Sequence, residues 1–227
     1  MLRQRVLWIC CTGWVFGAAS GYAQLQQKPA DQYINAMNRL ERGIEDKIPT
    51  VIEKMRLKPG DIVADIGSGS GTFSIPMAKA VAPNGILYAV DIDQEMLDYV
   101  ADRAKKEGVT NLRTILGVDD DPQLPVKDVD AAFFHRVLHM IEHRQIYLNA
   151  TAKYLKPDGR IVIIDKNPEQ SPNSWMWLKE SDVDTWMAAI AFYPAEKFDV
   201  FTDRYFVSYQ RPYGNSVLLH KPNAPKP

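Results

Sequence analysis

The feature that most constrains the fold is a glycine-rich turn that directly follows an apolar run, in the stretch Val63 to Phe73 (VADIGSGSGTF). Gly67, Gly69 and Gly71 alternate there with two serines. Because glycine has no Cβ, such a turn lets a ligand touch the backbone between a first strand and a first helix. The stretch therefore predicts a strand–turn–helix unit with a ligand at the turn.

Strand-like and helix-like segments alternate after this turn. Continuous apolar runs bounded by turns indicate strands buried on both faces, as in a parallel sheet covered by helices. The predicted strands are Ile62–Ile66, Ile86–Val90, Leu112–Leu116, Val129–Phe134 and Ile161–Ile164, and the predicted helices are Thr72–Val81, Gln94–Lys106, Arg144–Leu155 and a segment around Glu180–Ala191.

The two ends of the fold follow other patterns. Ile34–Met55 is helical in pattern but contains Pro49, which predicts two helices. Leu155–Arg160 is predicted to be a turn. Phe198–Thr202 and Tyr205–Tyr209 predict an antiparallel hairpin that closes the sheet. We therefore expect a doubly wound α/β fold with a mostly parallel seven-stranded sheet, an antiparallel C-terminal hairpin strand and helices on both faces.

The N-terminus has the three parts of a secretory signal. Arg3 and Arg5 provide the positive charges, Val6–Ala19 is apolar, and Gly21–Ala23 offers small residues before a cut at Gln24. The apolar run is shorter than the roughly 20 residues that span a bilayer. We expect a cleaved signal over residues 1–23, one domain over residues 24–227, and export, to the periplasm. An uncleaved membrane anchor and a cytoplasmic protein remain alternatives.

Charge and cysteine content exclude several classes of function. After removal of the signal the chain has 25 basic and 28 acidic side chains, and this balance disfavours nucleic acid as a partner. The chain's two cysteines, Cys10 and Cys11, lie in the signal, so the mature protein would lack a thiolate nucleophile or thiolate metal ligand. His139 and His143 have helical spacing without the glutamate pattern of a zinc protease, and no metal site is predicted.

Two carboxylates decide which ligand the turn favours. Asp65 precedes Gly67 by two residues, and a fixed negative charge there would repel a pyrophosphate by about 1–4 kcal/mol. Thr72 also occupies the place of the third glycine of the dinucleotide pattern, which disfavours a nicotinamide-dependent reductase. Asp91 ends the second predicted strand, where an acid accepts hydrogen bonds from ribose hydroxyls. A cationic nucleoside such as S-adenosylmethionine fits both acids.

The stretches "VADIGSGSGTFSIPMAKAV", "ILYAVDIDQEML" and "DVDAAFFHRVLHMIEHRQIYLNATAKYLKPDGRIVIID" resemble the core of the class I S-adenosylmethionine-dependent methyltransferases, over roughly Leu57 to Lys166. The resemblance implies S-adenosylmethionine as cofactor and methyl transfer as the activity. It implies that the methionine part contacts the loop, that Asp91 binds the ribose and that Ile92 and Met96 flank the adenine. The loop residues are Asp65, Gly67, Ser68, Gly69 and Gly71.

The resemblance leaves two assignments open. Members of the family place an acid after the third strand against the adenine amino group, and here either Asp119 or Asp120 matches it. His135 ends the fourth strand, the usual place for groups near the transferred methyl. It is a candidate general base toward a hydroxyl or amine, or alternatively a contact to the cofactor or substrate, or a structural residue. His139 is expected to pack at the start of the next helix.

The acceptor is expected to be a small molecule. The aromatic residues of Asn173–Tyr193 could line its pocket or simply pack the helix on the sheet. A different class of function remains possible, an exported non-catalytic binding protein that keeps the methyltransferase fold. A membrane would be involved only through an uncleaved N-terminus.

Overall fold

The computed structural model describes residues 34–35, 43–170 and 174–212. The predicted signal over residues 1–23 lies outside the described residues. The seven strands are β1 Ile62–Ile66, β2 Ile86–Asp91, β3 Leu112–Leu116, β4 Val129–His135, β5 Leu155–Lys166, β6 Tyr193–Lys197 and β7 Arg204–Gln210. The five α-helices of the described residues are α1 Ile48–Met55, α2 Ser74–Val81, α3 Gln94–Lys106, α4 Arg144–Ala152 and α5 Glu180–Ala189.

The strands form one sheet in the order β3-β2-β1-β4-β5-β7-β6. Strands β1 to β5 are parallel, and β7 runs antiparallel to both β5 and β6. The chain leaves β1 in one direction along the sheet and β4 in the other. The carboxyl ends of β1 and β4 therefore meet at the switch point, where open α/β sheets bind ligands.

Helices cover both faces of the sheet, as the apolar strands require. One buried cluster joins inward residues of β4 and β5 to Leu148 of α4 and Met187 of α5. The other joins the opposite sides of the strands to Val51 of α1, Met77 of α2 and Val100 of α3. The predicted doubly wound α/β fold is confirmed. Within the described part of the chain, no helix is both long and apolar enough to cross a bilayer.

The structure corrects the prediction at Leu155–Arg160 and places Pro49 at the start of α1. Pro49 lies in the first turn of α1, where its missing N–H has no helical partner to lose, so it begins this helix instead of breaking it. Leu155–Arg160 belongs to β5, which pairs with β4 at Leu155 and again at Arg160. The residues between form an irregularity in the pairing, and the sequence pattern of a turn reflects this local departure from the ladder.

The first arm of the C-terminal hairpin was also predicted in the wrong place. The antiparallel partner of β7 is Tyr193–Lys197, and the predicted arm Phe198–Thr202 is a connection that keeps a backbone hydrogen bond to β7, from Phe198 to Phe206 at 2.9 Å. Phe198, Val200 and Phe201 pack against the cluster under α1 to α3, which explains why this connection is apolar.

Candidate functional site

The glycine-rich turn forms a bare backbone loop at the carboxyl ends of β1 and β2. The backbone N–H groups of Gly67 and Ser68 both donate to the carbonyl oxygen of Val90, at 2.8 and 2.9 Å. Gly67 has φ of 68°, and a Cβ at this position would lie 2.3 Å from Cγ2 of Val137. The loop is therefore held close to both β2 and the segment after β4, and only glycine fits there.

Asp91 connects the loop to the end of β2. One of its carboxylate oxygens accepts the N–H of Gly69 at 2.9 Å and the other accepts the N–H of Asp93 at 3.1 Å. Burial raises the pKa of Asp91 above its ordinary value, and hydrogen bonds from the backbone N–H groups of Gly69, Asp93 and Ile92 partly offset this rise. Three N–H donors leave about one of the carboxylate's four lone-pair sites free, so it can also accept a ribose hydroxyl.

Asp65, the residue of β1 that precedes the loop, is buried and presents almost no surface to a ligand. Its side chain belongs to a residue that is only 3% exposed, and it accepts a hydrogen bond from the Ser74 hydroxyl at 2.5 Å. Ser74 is the first residue of α2, so the positive end of this helix also favours the carboxylate's charge. The carboxyl group is thus held close to the backbone that a ligand would contact.

Ser68 provides an independent indication that the loop binds a polar ligand. Its hydroxyl oxygen is buried and has no hydrogen-bond partner among the described residues. A buried hydroxyl without a partner costs free energy unless a ligand or water satisfies it. The glycine backbone, the Asp91 oxygens and this hydroxyl together fit the polar groups of S-adenosylmethionine.

Apolar side chains lie where the adenine is expected. Ile92 is 36% exposed, and Leu116, which pairs directly with Asp91 across the sheet, is 51% exposed. Met96, the other residue expected to flank the adenine, is 1% exposed and presents almost no surface to a ligand. The sequence did not indicate Leu116 as a candidate to contact the adenine, because its place opposite Asp91 depends on the register of β2 and β3.

Asp119 and Asp120 form the exposed tip of a turn after β3. Val118 and Asp121 close this turn through two backbone hydrogen bonds, of 2.9 and 3.3 Å. Asp121 is occupied, because one of its carboxylate oxygens accepts the Tyr154 hydroxyl at 2.8 Å. The two exposed acids remain equivalent candidates for the contact to the adenine amino group.

His135 ends β4 in a largely apolar environment. Its ring meets that of Phe73 edge-on at 4.7 Å, and its Nε2 is buried with no hydrogen-bond partner among the described residues. Burial holds the pKa of His135 well below its ordinary value, and the positive charges of Arg136 and Arg204 lower it further. The imidazole is therefore neutral at neutral pH.

A buried polar pair that the sequence did not indicate, His139 and Asp165, lies at the same edge of the sheet. His139 Nδ1 lies 3.0 Å from Oδ2 of Asp165, and the two side chains are only 8% and 0% exposed. The His139 ring also meets the ring of Trp177 edge-on, with centroids 4.7 Å apart. The predicted packing role of His139 is thus incomplete, because its ring also takes part in a buried pair with a carboxylate.

The aromatic residues of the segment before β6 lie in different environments. Trp175 is 83% exposed, Phe192 is fully buried, and Trp186 lies under the Arg144 guanidinium at 5.6 Å. Trp177 lies at the ends of β4 and β5, because the charged groups of Arg136, just after β4, and Lys166, the last residue of β5, lie 5.8 and 5.3 Å from its ring centre. A shared aromatic pocket is therefore not formed, and Trp177 is the residue placed at the site.

Comparisons with known proteins agree with this geometry. A family model described as a methyltransferase domain matches residues 57–191. A solved structure described as a SAM-dependent methyltransferase from Aquifex aeolicus superposes with a TM-score of 0.72 at 22% identity, over 81% of this chain and 98% of that one. At this identity the superposition shows the shared fold alone.

Two curated relatives match about half of this chain. The Nocamycin O-methyltransferase of Saccharothrix syringae is 28% identical over 52% of this chain and 42% of its own length. The ubiquinone/menaquinone biosynthesis C-methyltransferase UbiE of Ectopseudomonas mendocina (strain ymp) is 27% identical over 53% of this chain and 48% of its own length. The chain thus spans less than half the length of either relative, and their names specify different acceptor atoms.

Proposed function

Because the chain belongs to the class I S-adenosylmethionine-dependent methyltransferases, we propose that its methyl acceptor is a small molecule that binds beside Trp177. S-adenosylmethionine is the cofactor, and methyl transfer is the reaction. The observation that carries the proposal is the position of Trp177 at the ends of β4 and β5, where Arg136 and Lys166 approach its ring. Apolar and aromatic surface with a few polar groups is typical of a small-molecule site.

The length of the connection supports a small acceptor. Only residues 167–179 separate β5 from α5, and this segment is too short for an added recognition domain. The formal net charge of −1 gives no general attraction for nucleic acid. We therefore expect recognition of the acceptor by a few side chains and not by an extended surface.

The geometry of the site favours a particular residue or loop for each part of S-adenosylmethionine. The Gly67–Gly71 loop, with the Ser68 hydroxyl and the Asp65 carboxyl group close to it, would hold the methionine part. Asp91 would accept the ribose hydroxyls, Ile92 would contact the adenine, and Asp119 or Asp120 would accept its amino group. A bound S-adenosylmethionine supplies an activated methyl, so the protein's main task is to align the acceptor with it.

His135 would then act as a neutral contact beside the methionine part. Its buried Nε2 lacks a partner among the described residues, and its depressed pKa makes it a weak base. Contact to the cofactor is one of the roles that the sequence left open for His135. A general base would then have to be another residue.

Transfer of labelled methyl groups tests the small-molecule proposal. Purified protein would be incubated with methyl-labelled S-adenosylmethionine and a cell extract that ultrafiltration has divided into small and large components. We expect label in the small fraction with matching release of S-adenosylhomocysteine. Label confined to protein, nucleic acid or lipid would contradict the acceptor class. Cofactor binding without release would instead support the non-catalytic alternative.

Export is proposed on the sequence of residues 1–23 alone. Cell fractionation followed by N-terminal sequencing of the isolated protein would test it. We expect a periplasmic protein that begins at Gln24. A membrane-bound protein that retains its first 23 residues would support the anchor, and a full-length soluble protein in the cytoplasm would contradict export.

A further inference from the structure

The His139–Asp165 pair lies where β4 and β5 end, beside the proposed acceptor site. His139 belongs to a single 3-10 turn, Leu138–Met140, just after β4, and Asp165 is the second-last residue of β5. The register pairs His135 with Ile164, so Asp165 continues one residue beyond the level of His135. The pair therefore lies at the carboxyl edge of the sheet, the edge that also carries the glycine loop.

The carboxylate determines which nitrogen of His139 can accept a proton. Asp165 is fully buried, and its Oδ2 lies 3.0 Å from Nδ1 of His139. A carboxylate at this distance favours a proton on Nδ1 and leaves the lone pair on Nε2. Nδ1 is the ring nitrogen engaged in the pair, so Nε2 is the ring nitrogen left to meet a ligand. A histidine oriented in this way is suited to proton transfer.

The charges around the pair favour an oxygen acceptor over an amine. Arg136 and Lys166 both approach the ring of Trp177, which itself contacts the His139 ring. The Arg144 guanidinium donates to the backbone carbonyl oxygen of His139 at 2.9 Å. Lys166 also pairs with Asp203 at 3.8 Å, and Asp165 is itself a carboxylate, but the three cations outnumber these two acids. An excess of positive side chains disfavours an ammonium group in the same place and stabilises an oxygen that loses its proton. Asp165 is the carboxylate that directly faces the imidazole.

We propose that His139, oriented by Asp165, is the general base for a hydroxyl acceptor that packs against Trp177. The inference rests on the proposed small-molecule methyl transfer and names its acceptor class. The hydroxyl proton passes to Nε2 of His139, and an oxygen electron pair forms the bond to the methyl carbon. The bond between that carbon and sulfur breaks, its electrons remain on sulfur, and S-adenosylhomocysteine leaves. Asp165 acts as a positioning residue that does not touch the acceptor.

Two phenols separate a general base from a structural residue. Phenol, with a pKa near that of tyrosine at about 10, must lose its proton during transfer, whereas 4-nitrophenol is largely ionised in mildly alkaline buffer. We expect His139→Gln to slow methyl transfer to phenol by about 100-fold and transfer to 4-nitrophenol by less than about threefold. Asp165→Asn should show the same selectivity with a smaller loss. His143→Gln, at an exposed histidine near the start of α4, is the matched control and should change neither rate.

An equal loss with both phenols would overturn the proposal, because a merely structural residue cannot distinguish them. Failure of the parent protein to methylate either phenol would overturn the hydroxyl acceptor. Calorimetric binding of S-adenosylhomocysteine to each variant provides the separate check. If the parent does not bind this product, the proposed function fails as well. If the parent binds this product and His139→Gln slows transfer to both phenols equally, only the role of His139 fails.

Nitrogen NMR of the parent protein tests the pair without any turnover. We expect the neutral His139 ring to carry its proton on Nδ1, and we expect Asp165→Asn to shift the proton toward Nε2. A parent ring with its proton on Nε2 would overturn the proposal, because that nitrogen could not accept another. This measurement still decides the matter if His139→Gln fails to fold.

Discussion

His135 and His139 show how surroundings give two nearby histidines different chemistry. His135 is packed against Phe73, and its pKa is held far below the ordinary range mainly by burial. His139 is paired with the buried carboxylate of Asp165. The first is suited to remain neutral beside a ligand, and the second is the residue that we propose as the general base. Their roles follow from their neighbours and not from their separation along the chain.

The depressed pKa of His135 predicts a specific loss of stability in acid. Below about pH 6.5 the unfolded chain takes up a proton at this residue that the folded protein refuses. Its contribution is therefore present above that pH and is lost as the pH falls toward the folded pKa, with a slope approaching about 1.4 kcal/mol per pH unit. We expect His135→Gln to remove this part of the slope in urea unfolding measured from neutral to mildly acidic pH.

His143→Gln serves as the control for this experiment, because His143 is exposed. Its slope should match that of the parent. An unchanged slope in His135→Gln would show that the imidazole titrates alike in the folded and unfolded states, contrary to its buried environment.

At the scale of elements, local signals explain where the sequence predicted the fold well. Helix α3 and strand β3 have the predicted bounds. Asp93 caps α3 by accepting the N–H of Glu95, and Gly108, with φ of 68°, follows its end, so both boundaries are encoded locally. Strand β6, with the sequence YPAEK, has no such signal because its residues alternate between half-buried and exposed and include a proline. The predicted arm of the hairpin was therefore placed on the apolar connection that follows β6.

The close approach of Gly67 to Val137 predicts a clash that can be separated from backbone strain. Gly67→Ala and Gly108→Ala both place a Cβ on a residue with φ of 68°, which costs about 1–2 kcal/mol in each case. Only at Gly67 does the new Cβ meet another side chain, whereas nothing lies within 4 Å at Gly108. We expect a larger loss in the free energy of unfolding for Gly67→Ala, measured by denaturant titration.

Adding Val137→Ala to Gly67→Ala should recover part of the excess loss, since it removes the methyl groups that the new Cβ would meet. Equal losses for the two alanine variants would contradict the close approach of the loop to the segment after β4.

At the scale of the whole molecule, the sheet order brings together residues that no local pattern connects. The loop after β1, Asp91 at the end of β2 and the His139–Asp165 pair at the ends of β4 and β5 share one edge because these strands are parallel. The glycine-rich turn, with Asp65 two residues before it, predicted the part of this edge where the cofactor would bind. The His139–Asp165 contact depends on the register of β4 and β5 and on a 3-10 turn, so the sequence could not predict it.

A single domain predicts one cooperative unfolding transition for the mature chain. S-adenosylhomocysteine at about 100 times its Kd should stabilise that domain by about 2.7 kcal/mol and raise its Tm. Scanning calorimetry of the chain from Gln24 checks both. Two transitions, of which the product shifts only one, would contradict a single domain over residues 24–227.

The most direct test of the account is calorimetric titration of S-adenosylhomocysteine into the parent protein, Asp91→Ala and the control Asp102→Ala, with NADH as the competing ligand. Asp102 is an exposed acid on α3. We predict that the parent and Asp102→Ala bind the product alike and prefer it to NADH, and that Asp91→Ala binds it about 10- to 100-fold more weakly, because hydrogen bonds to a charged group are lost. Equal binding by Asp91→Ala, or a parent that prefers NADH, would contradict the account.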